Sequence, residues 1–263
     1  MAVIDRLFSE AAQKNNLVYV DAPVDLELGA RRNDAMIAFA AALPGSFYLY
    51  QGEELGLPEV LDLPADRRED PLFIRTNGAE IGRDGCRVPL PWTTDPATSF
   101  GFSPAQHGEP WLPQPSDWGR YAASSQEADA ASSLEHYRHV FAHRRALDVQ
   151  APLEWLLPDS DEVVAFRRGA VVVVLNVSDR DVALPAALVE TATAVRLSSA
   201  RGDATLASVP ANACVWFSEM MFLGFQSLSK VWTEMWLVVP PEDPRLLTAL
   251  GIIWAVSAPA KGA

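Results

Sequence analysis

The chain has 263 residues, 49 % of them hydrophobic, enough for one large domain or two small ones with a core. Its formal net charge of −13 excludes a surface built from Lys and Arg for phosphate, so no nucleic-acid partner is expected. No stretch reaches the roughly 18 consecutive apolar residues of a membrane span, and Met1–Ser9 has neither the apolar core nor the cleavage site of a signal peptide. Cys86 and Cys214 are too few and too far apart for a disulfide scaffold or a thiolate metal site, and a cytoplasmic location is expected.

In chain order, Ala2–Lys14 reads as a short amphipathic helix and Leu17–Val20 as a short strand. Leu28–Leu43 is built of helix formers and stops at Pro44-Gly45. Its second half, from Ala35, is apolar all round, the pattern of a helix buried on every side. Ser46–Gln51 (SFYLYQ) reads as a strand buried on both faces, the usual state in a parallel sheet. Gly52-Glu53-Glu54 follows at its C-terminal end, where parallel barrels carry their binding loops. Leu57–Ala122 is rich in Pro, Trp, Asp and Gly and lacks periodicity. A loop this long, holding Phe73, Ile74, Trp92, Phe100, Phe102, Trp111 and Trp118, reads as a packed functional excursion.

Gln126–Leu147 is predicted as one helix, with Arg144-Arg145 suited to the negative end of its dipole. From Leu153 the pattern changes to short β-rich runs at Leu153–Leu157, Val163–Arg167, Val171–Val177, Ala194–Leu197 and Cys214–Phe217. Turn residues separate them, as in a small antiparallel sandwich. The tail from Met220 is apolar, contains Trp and has no clear period. The three lysines, Lys14, Lys230 and Lys261, all lie near the ends, and every basic residue between Val20 and Ser229 is Arg. The middle block thus differs in coding style from both ends. The expected divisions are residues 1–26, 27–150, 151–218 and 219–263.

Two segments carry a resemblance. ALPGSFYLYQGEELGLPEV (Ala42–Val60) is similar to the last helix turn and eighth strand of the barrel in α-glucosidases of the α-amylase family, glycoside hydrolase family 13. RTNGAEIGRDGCRVPLPW (Arg75–Trp92) resembles the stretch that follows in those enzymes. QEADAASSLEHYRHVFAHRRAL is similar to their final barrel helix, and the strand-like runs up to Phe217 resemble their C-terminal β-sandwich. The resemblance implies an α/β remnant of a (β/α)8 barrel, comprising its last helices and strand eight, followed by an all-β antiparallel sandwich.

The same resemblance implies a retaining hydrolase of α-glucosidic bonds in short oligosaccharides, needing no metal and no cofactor. It assigns the catalytic Asp, Glu and Asp to segments for which this sequence has no counterpart. VYVDAPVD lacks the Arg-x-Asp context of the nucleophile, and none of the four histidines stands in an Asn-His-Asp context. Retaining hydrolysis needs two carboxyl groups about 5–5.5 Å apart, so the chain is expected to be inactive alone. The alternatives are a non-catalytic carbohydrate-binding or interaction module, or a truncated gene product. Association through exposed barrel faces is the expected protein–protein contact.

The resemblance marks Arg83 as a ligand of the sugar hydroxyls, a task that suits a rigid guanidinium fork, with Asp84 orienting it. Arg87 is expected to pin the turn before Pro89. Glu53, Glu54 and Trp92 are expected as structural loop residues, the two glutamates pointing to opposite faces of the strand end. His136, His139 and His143 share a helix, but no fourth ligand has a defined spacing, and a solvated face is the simpler reading.

Overall fold

A computed structural model describes residues 26–104, 107–148, 150–157, 159–200 and 204–219. The expected helix Ala2–Lys14, the strand Leu17–Val20 and the tail from Met220 lie outside the described residues. Helix α1 spans Leu26–Ala42. Two short helices, α2 (Pro71–Arg75) and α3 (Ala123–Gln126), punctuate the long loop region, and α4 spans Ser133–Arg145. Strands β1 (Leu153–Leu156), β2 (Val163–Arg168), β3 (Val171–Asn176), β4 (Val182–Ala183), β5 (Ala192–Ser198), β6 (Ser208–Val209) and β7 (Cys214–Glu219) follow, with helix α5 (Ala186–Thr191) between β4 and β5. No helix among the described residues is long and apolar enough to cross a membrane.

The strands form a five-stranded antiparallel sheet in the order β1-β2-β3-β7-β5, while β4 and β6 pair separately. Strands β2 and β3 are joined by Gly169-Ala170, and Gly169 takes a positive φ of 59° that favours glycine. Every residue of the central strand β3 is buried. Alternation along the strands therefore feeds two cores. One face brings Phe166, Val171, Val173, Leu175, Leu197, Cys214 and Trp216 against α1 and α4. The other brings Val163, Ala165, Val172, Val174, Val215 and Phe217 against Leu184 and Val209, beside β4 and β6.

Helix α1 is buried along Ala35, Ile37, Ala38, Phe39, Ala41 and Ala42, so the all-round apolar half does enter a core. Small alanines let neighbours approach its backbone. His136 Nε2 lies 3.1 Å from the Asp34 carbonyl, and Trp216 Nε1 donates to Ala38 O at 3.2 Å. The end of the helix leaves carbonyls without intrahelical donors, and two arginines supply them. Arg168 Nη1 donates to Ala42 O at 3.0 Å. Arg144 donates to Ala41 O, to Leu43 O at 3.0 Å and to Gly45 O at 2.6 Å, with its guanidinium over the Phe47 ring.

Two expectations about elements are corrected. The single helix Gln126–Leu147 is broken, because an N-cap opens α4 later: Ser132 Oγ accepts the Glu135 N–H at 3.2 Å. The Gln126 side chain bridges the break, donating to Leu55 O and Tyr121 O and accepting from Leu134 N. The second correction concerns Ser46–Gln51, expected as a buried strand. It forms no strand and is largely exposed, with Tyr48 at 89 % accessibility and Leu49 and Tyr50 also open, while Phe47 packs on Phe141. Among the described residues no strand lies beside it, so its aromatic side chains have no sheet neighbours to pack on.

The arginine cap yields a test. Arg144→Ala removes donors from three carbonyls, and a buried group left unsatisfied costs about 1–3 kcal/mol. We expect a loss of that size in chemical denaturation, against little change for the exposed neighbour in Arg145→Ala. Equal stability of the two variants would refute the cap.

Candidate functional site

The site region begins where Tyr50 ends the irregular segment. Gly52 turns the chain at φ 92°, and a Cβ there would meet Leu57 Cδ1 at 2.9 Å. Glu53–Leu55 then form a single 3-10 turn. Glu54 Oε2 accepts the Gly52 N–H at 2.9 Å, which closes the turn. Burial raises the Glu53 carboxyl above its ordinary value, and the Glu54 charge adds to the rise. The expected opposition of the two glutamates rested on strand alternation. That reason fails, because both sit in a 3-10 turn and Glu53 feels the Glu54 charge.

The loop region 57–122 packs around its own small core of Val60, Leu63, Val88, Phe100, Leu112 and Trp118. Arg68 organises it from within. Its guanidinium donates to Leu63 O at 3.2 Å, Ile81 O at 3.0 Å and Leu61 O at 2.6 Å, and it stacks on Phe73. One buried cation thereby ties residues 61–63 to residue 81.

Asp70 is the residue that this tie brings to the turn at 82–87. It caps α2, with Oδ1 accepting the Leu72 N–H at 2.9 Å and Pro71 at the first helical position. Its Oδ2 accepts the Arg83 N–H at 3.2 Å and an Arg87 Nη1–H at 3.2 Å, and Arg83 Nε stands 3.6 Å away. Gly82 permits this approach, since a Cβ there would lie 2.6 Å from Asp70 Cβ. The Asp70 carboxyl is held below its ordinary value of 3.8, first by the Leu72 N–H, then by the Arg83 N–H and the two guanidinium charges, against the opposing effect of burial.

Asp84 is buried and fully engaged elsewhere. Its Oδ2 accepts the N–H groups of Glu69 and Asp70, each at 2.9 Å, and its Oδ1 takes an Arg87 Nη1–H at 3.3 Å. The expectation that Asp84 orients Arg83 is therefore corrected: Asp70 faces Arg83, and Asp84 is spent on backbone and Arg87. Arg87 bridges the two aspartates. The Arg83 side chain is 71 % exposed and points its remaining donors outward. Beside it, Cys86 Sγ donates to Arg83 O at 3.1 Å and lies 3.9 Å from the Tyr50 hydroxyl.

Trp92 is anchored through its backbone, which bonds Phe100 O at 2.7 Å and receives Ser124 N at 3.0 Å, while half of its side chain is exposed. His136 is buried against α1, whereas the His139 and His143 rings meet edge-on at 4.4 Å. Among the described residues no three His, Cys, Asp or Glu side chains group as a metal site.

Sequence reasoning reached Arg83, Asp84, Arg87 and the glutamates but missed Asp70, Arg68 and Tyr50. The Asp70-Pro71 pair was the available signal for Asp70, because an Asp cap followed by Pro opens helices. Nothing local marks Arg68, whose three partners are backbone carbonyls.

Residues 22–151 match the family described as alpha amylase, catalytic domain, and belong to the α-amylase family, glycoside hydrolase family 13. The chain is 42 % identical over 105 residues to a probable alpha-glucosidase of Rhizobium meliloti (strain 1021), covering 40 % of this chain and 18 % of that protein. It is 30 % identical over 158 residues to a glucan 1,6-alpha-glucosidase of Streptococcus dysgalactiae subsp. equisimilis, covering 52 % of this chain and 29 % of that protein. Among solved structures, an alpha-glucosyl transfer enzyme aligns with a TM-score of 0.57 at 30 % identity, over 73 % of this chain and 36 % of that one. An isomaltulose synthase variant from Erwinia rhapontici NX5 aligns at 0.58 and 17 % identity, covering 73 % and 38 %, and shares the fold. The chain thus spans less than a third of the length of these two curated relatives.

Asp70 gives a pH test. A carboxyl whose pKa is depressed in the folded state stabilises that state above the unfolded value and loses the contribution as pH falls through the folded value. The destabilisation by Asp70→Asn is therefore expected to be full at neutral pH and to shrink below pH 3.8. Urea midpoints of both proteins across that range check it, and a pH-independent gap would contradict the role.

Proposed function

We propose that the chain is the C-terminal part of an α-glucosidase acting on short α-glucoside oligosaccharides, with Arg83 as its contribution to the sugar site. The observation that carries this is the exposed Arg83 fork, set on a turn that Asp70, Asp84 and Arg87 fix from below. A guanidinium with free donors matches paired hydroxyl oxygens, and a rigid support keeps it in place without a loss of entropy on binding. The strands from Leu153 are read as the family's C-terminal β-sandwich. Residues 27–150 and 151–218 are read as two domains, and Glu53, Glu54 and Trp92 as framework for the loop. The two free thiols suit a cytoplasmic protein.

Alone, the chain is proposed to be inactive. Binding a sugar without a paired nucleophile and proton donor gives no preferential stabilisation of the transition state. Purified chain is expected to release no p-nitrophenol from p-nitrophenyl α-glucoside above a mock purification, and clear turnover would overturn this. For the site, Arg83→Ala is expected to keep wild-type stability within about 0.5 kcal/mol, as surface substitutions do. It is also expected to abolish saturation-transfer signals from maltose. Retained maltose signals in Arg83→Ala, or none in the parent chain, would count against the assignment.

A further inference from the structure

Glu59 lies directly against the turn that carries Arg83. The Val60 N–H donates to Gly85 O at 3.2 Å. Gly85 has no room for a side chain, because a Cβ would fall 2.3 Å from Val60 O and 2.8 Å from Glu59 Cγ. The Glu59 side chain is thus the floor on which Gly85 rests. Its Oε2 is buried, and among the described residues no donor reaches it. Beside it opens a cavity of about 220 Å³, which Glu59 itself lines together with Pro58, Asp62, Asp117, Trp118 and Arg120.

We propose that Glu59 is a proton-operated latch on the Arg83–Arg87 turn: neutral, it stays packed under Gly85, and ionised, it swings into the adjoining cavity and frees the turn. The charges around it favour this. Arg68 is the cation that acts on Glu59, but three of its five N–H donors are taken by carbonyls and none reaches Glu59 Oε2. On the cavity wall, Arg120 is paired with Asp117 at 3.2 Å and stacked on Tyr121, and Asp62 and Asp117 are themselves negative. A carboxylate left in place keeps a buried oxygen without a hydrogen bond, whereas movement toward the cavity brings water to it. Burial raises the Glu59 carboxyl above its ordinary value of 4.5, and Arg68 only partly offsets the rise.

The sign follows. A raised folded-state pKa means that the latched state holds its proton longer than the free state, so latching is complete below 4.5 and is lost as pH rises through the latched value. Each unit of separation between the two values is worth about tenfold in the latch equilibrium. The consequence for sugar contact rests on the reading of Arg83 given above, but the latch does not.

The test is amide exchange of Val60 in the full chain, read by NMR between about pH 4 and 8 and corrected for intrinsic exchange, together with carbon-13 titration of the Glu59 carboxyl. Expected are a Glu59 pKa above 4.5 and a Val60 protection factor that falls about tenfold or more per unit of separation. Glu59→Gln, a neutral isostere, is expected to hold its protection flat over the same range. A Glu59 pKa at or below 4.5, or parallel pH profiles in the two proteins, would overturn the latch. The carboxyl titration needs only the parent protein, so the proposal stays testable if Glu59→Gln does not fold. No sugar is present, so failure here leaves the proposed function standing.

Discussion

Helix α1 lends its backbone carbonyls to side chains from the rest of the molecule. Asp34, Ala38, Ala41, Ala42, Leu43 and Gly45 meet His136, Trp216, Arg144 and Arg168. The alanines at 35, 38, 41 and 42, interspersed with the bulkier Ile37 and Phe39, leave room for donors to reach the backbone. Both arginines end at the C-terminus, where the dipole is negative and donors are short. The direction in which the chain leaves α1, toward Tyr50 and the Gly52 turn, is set by the Arg144 bonds to Leu43 and Gly45. The position of the loop site is therefore decided by a contact with α4, far from the loop itself.

Within the loop region a second polar device takes over. Two aspartates with complementary tasks meet one arginine. Asp70 caps α2 and faces Arg83, Asp84 gathers the backbone of residues 69 and 70, and Arg87 neutralises both. Buried carboxylates are tolerable because each accepts several N–H bonds. Glycines at 82 and 85 serve the same device, one letting Asp70 in and the other letting residues 59 and 60 in. The outcome is a hydrogen-bonded base with one exposed cation on top.

Much of the fold was legible in the sequence wherever periodicity and punctuation agreed. Helix α1 was framed by Pro44-Gly45, and all five strands of the main sheet were bounded by turn residues. The failures have a common cause. Ser46–Gln51 has the composition of a buried strand, but composition cannot supply a neighbour. Helix α4 was drawn too long because the N-cap at Ser132 was outweighed by helix formers before it. The strands β4 and β6 are two residues each, too short for any pattern. At the site, the sequence marked Arg83 and Arg87 through motif resemblance. Pairing Asp84 with Arg83 by adjacency missed Asp70, which reaches the turn only through folding over 13 positions.

The bonds that fasten α1 join residues far apart along the chain: Trp216 to Ala38 across 178 positions, Arg168 to Ala42 across 126 and Arg144 to Ala41 across 103. Contacts of such separation must wait until long loops close, and chains rich in them fold slowly. During synthesis α1 emerges before β7, which carries Trp216 and is last among the described elements. The apolar face of α1 therefore spends the interval without its core. For a ribosome-bound nascent chain, that interval is when chaperone capture or mispairing competes with native docking.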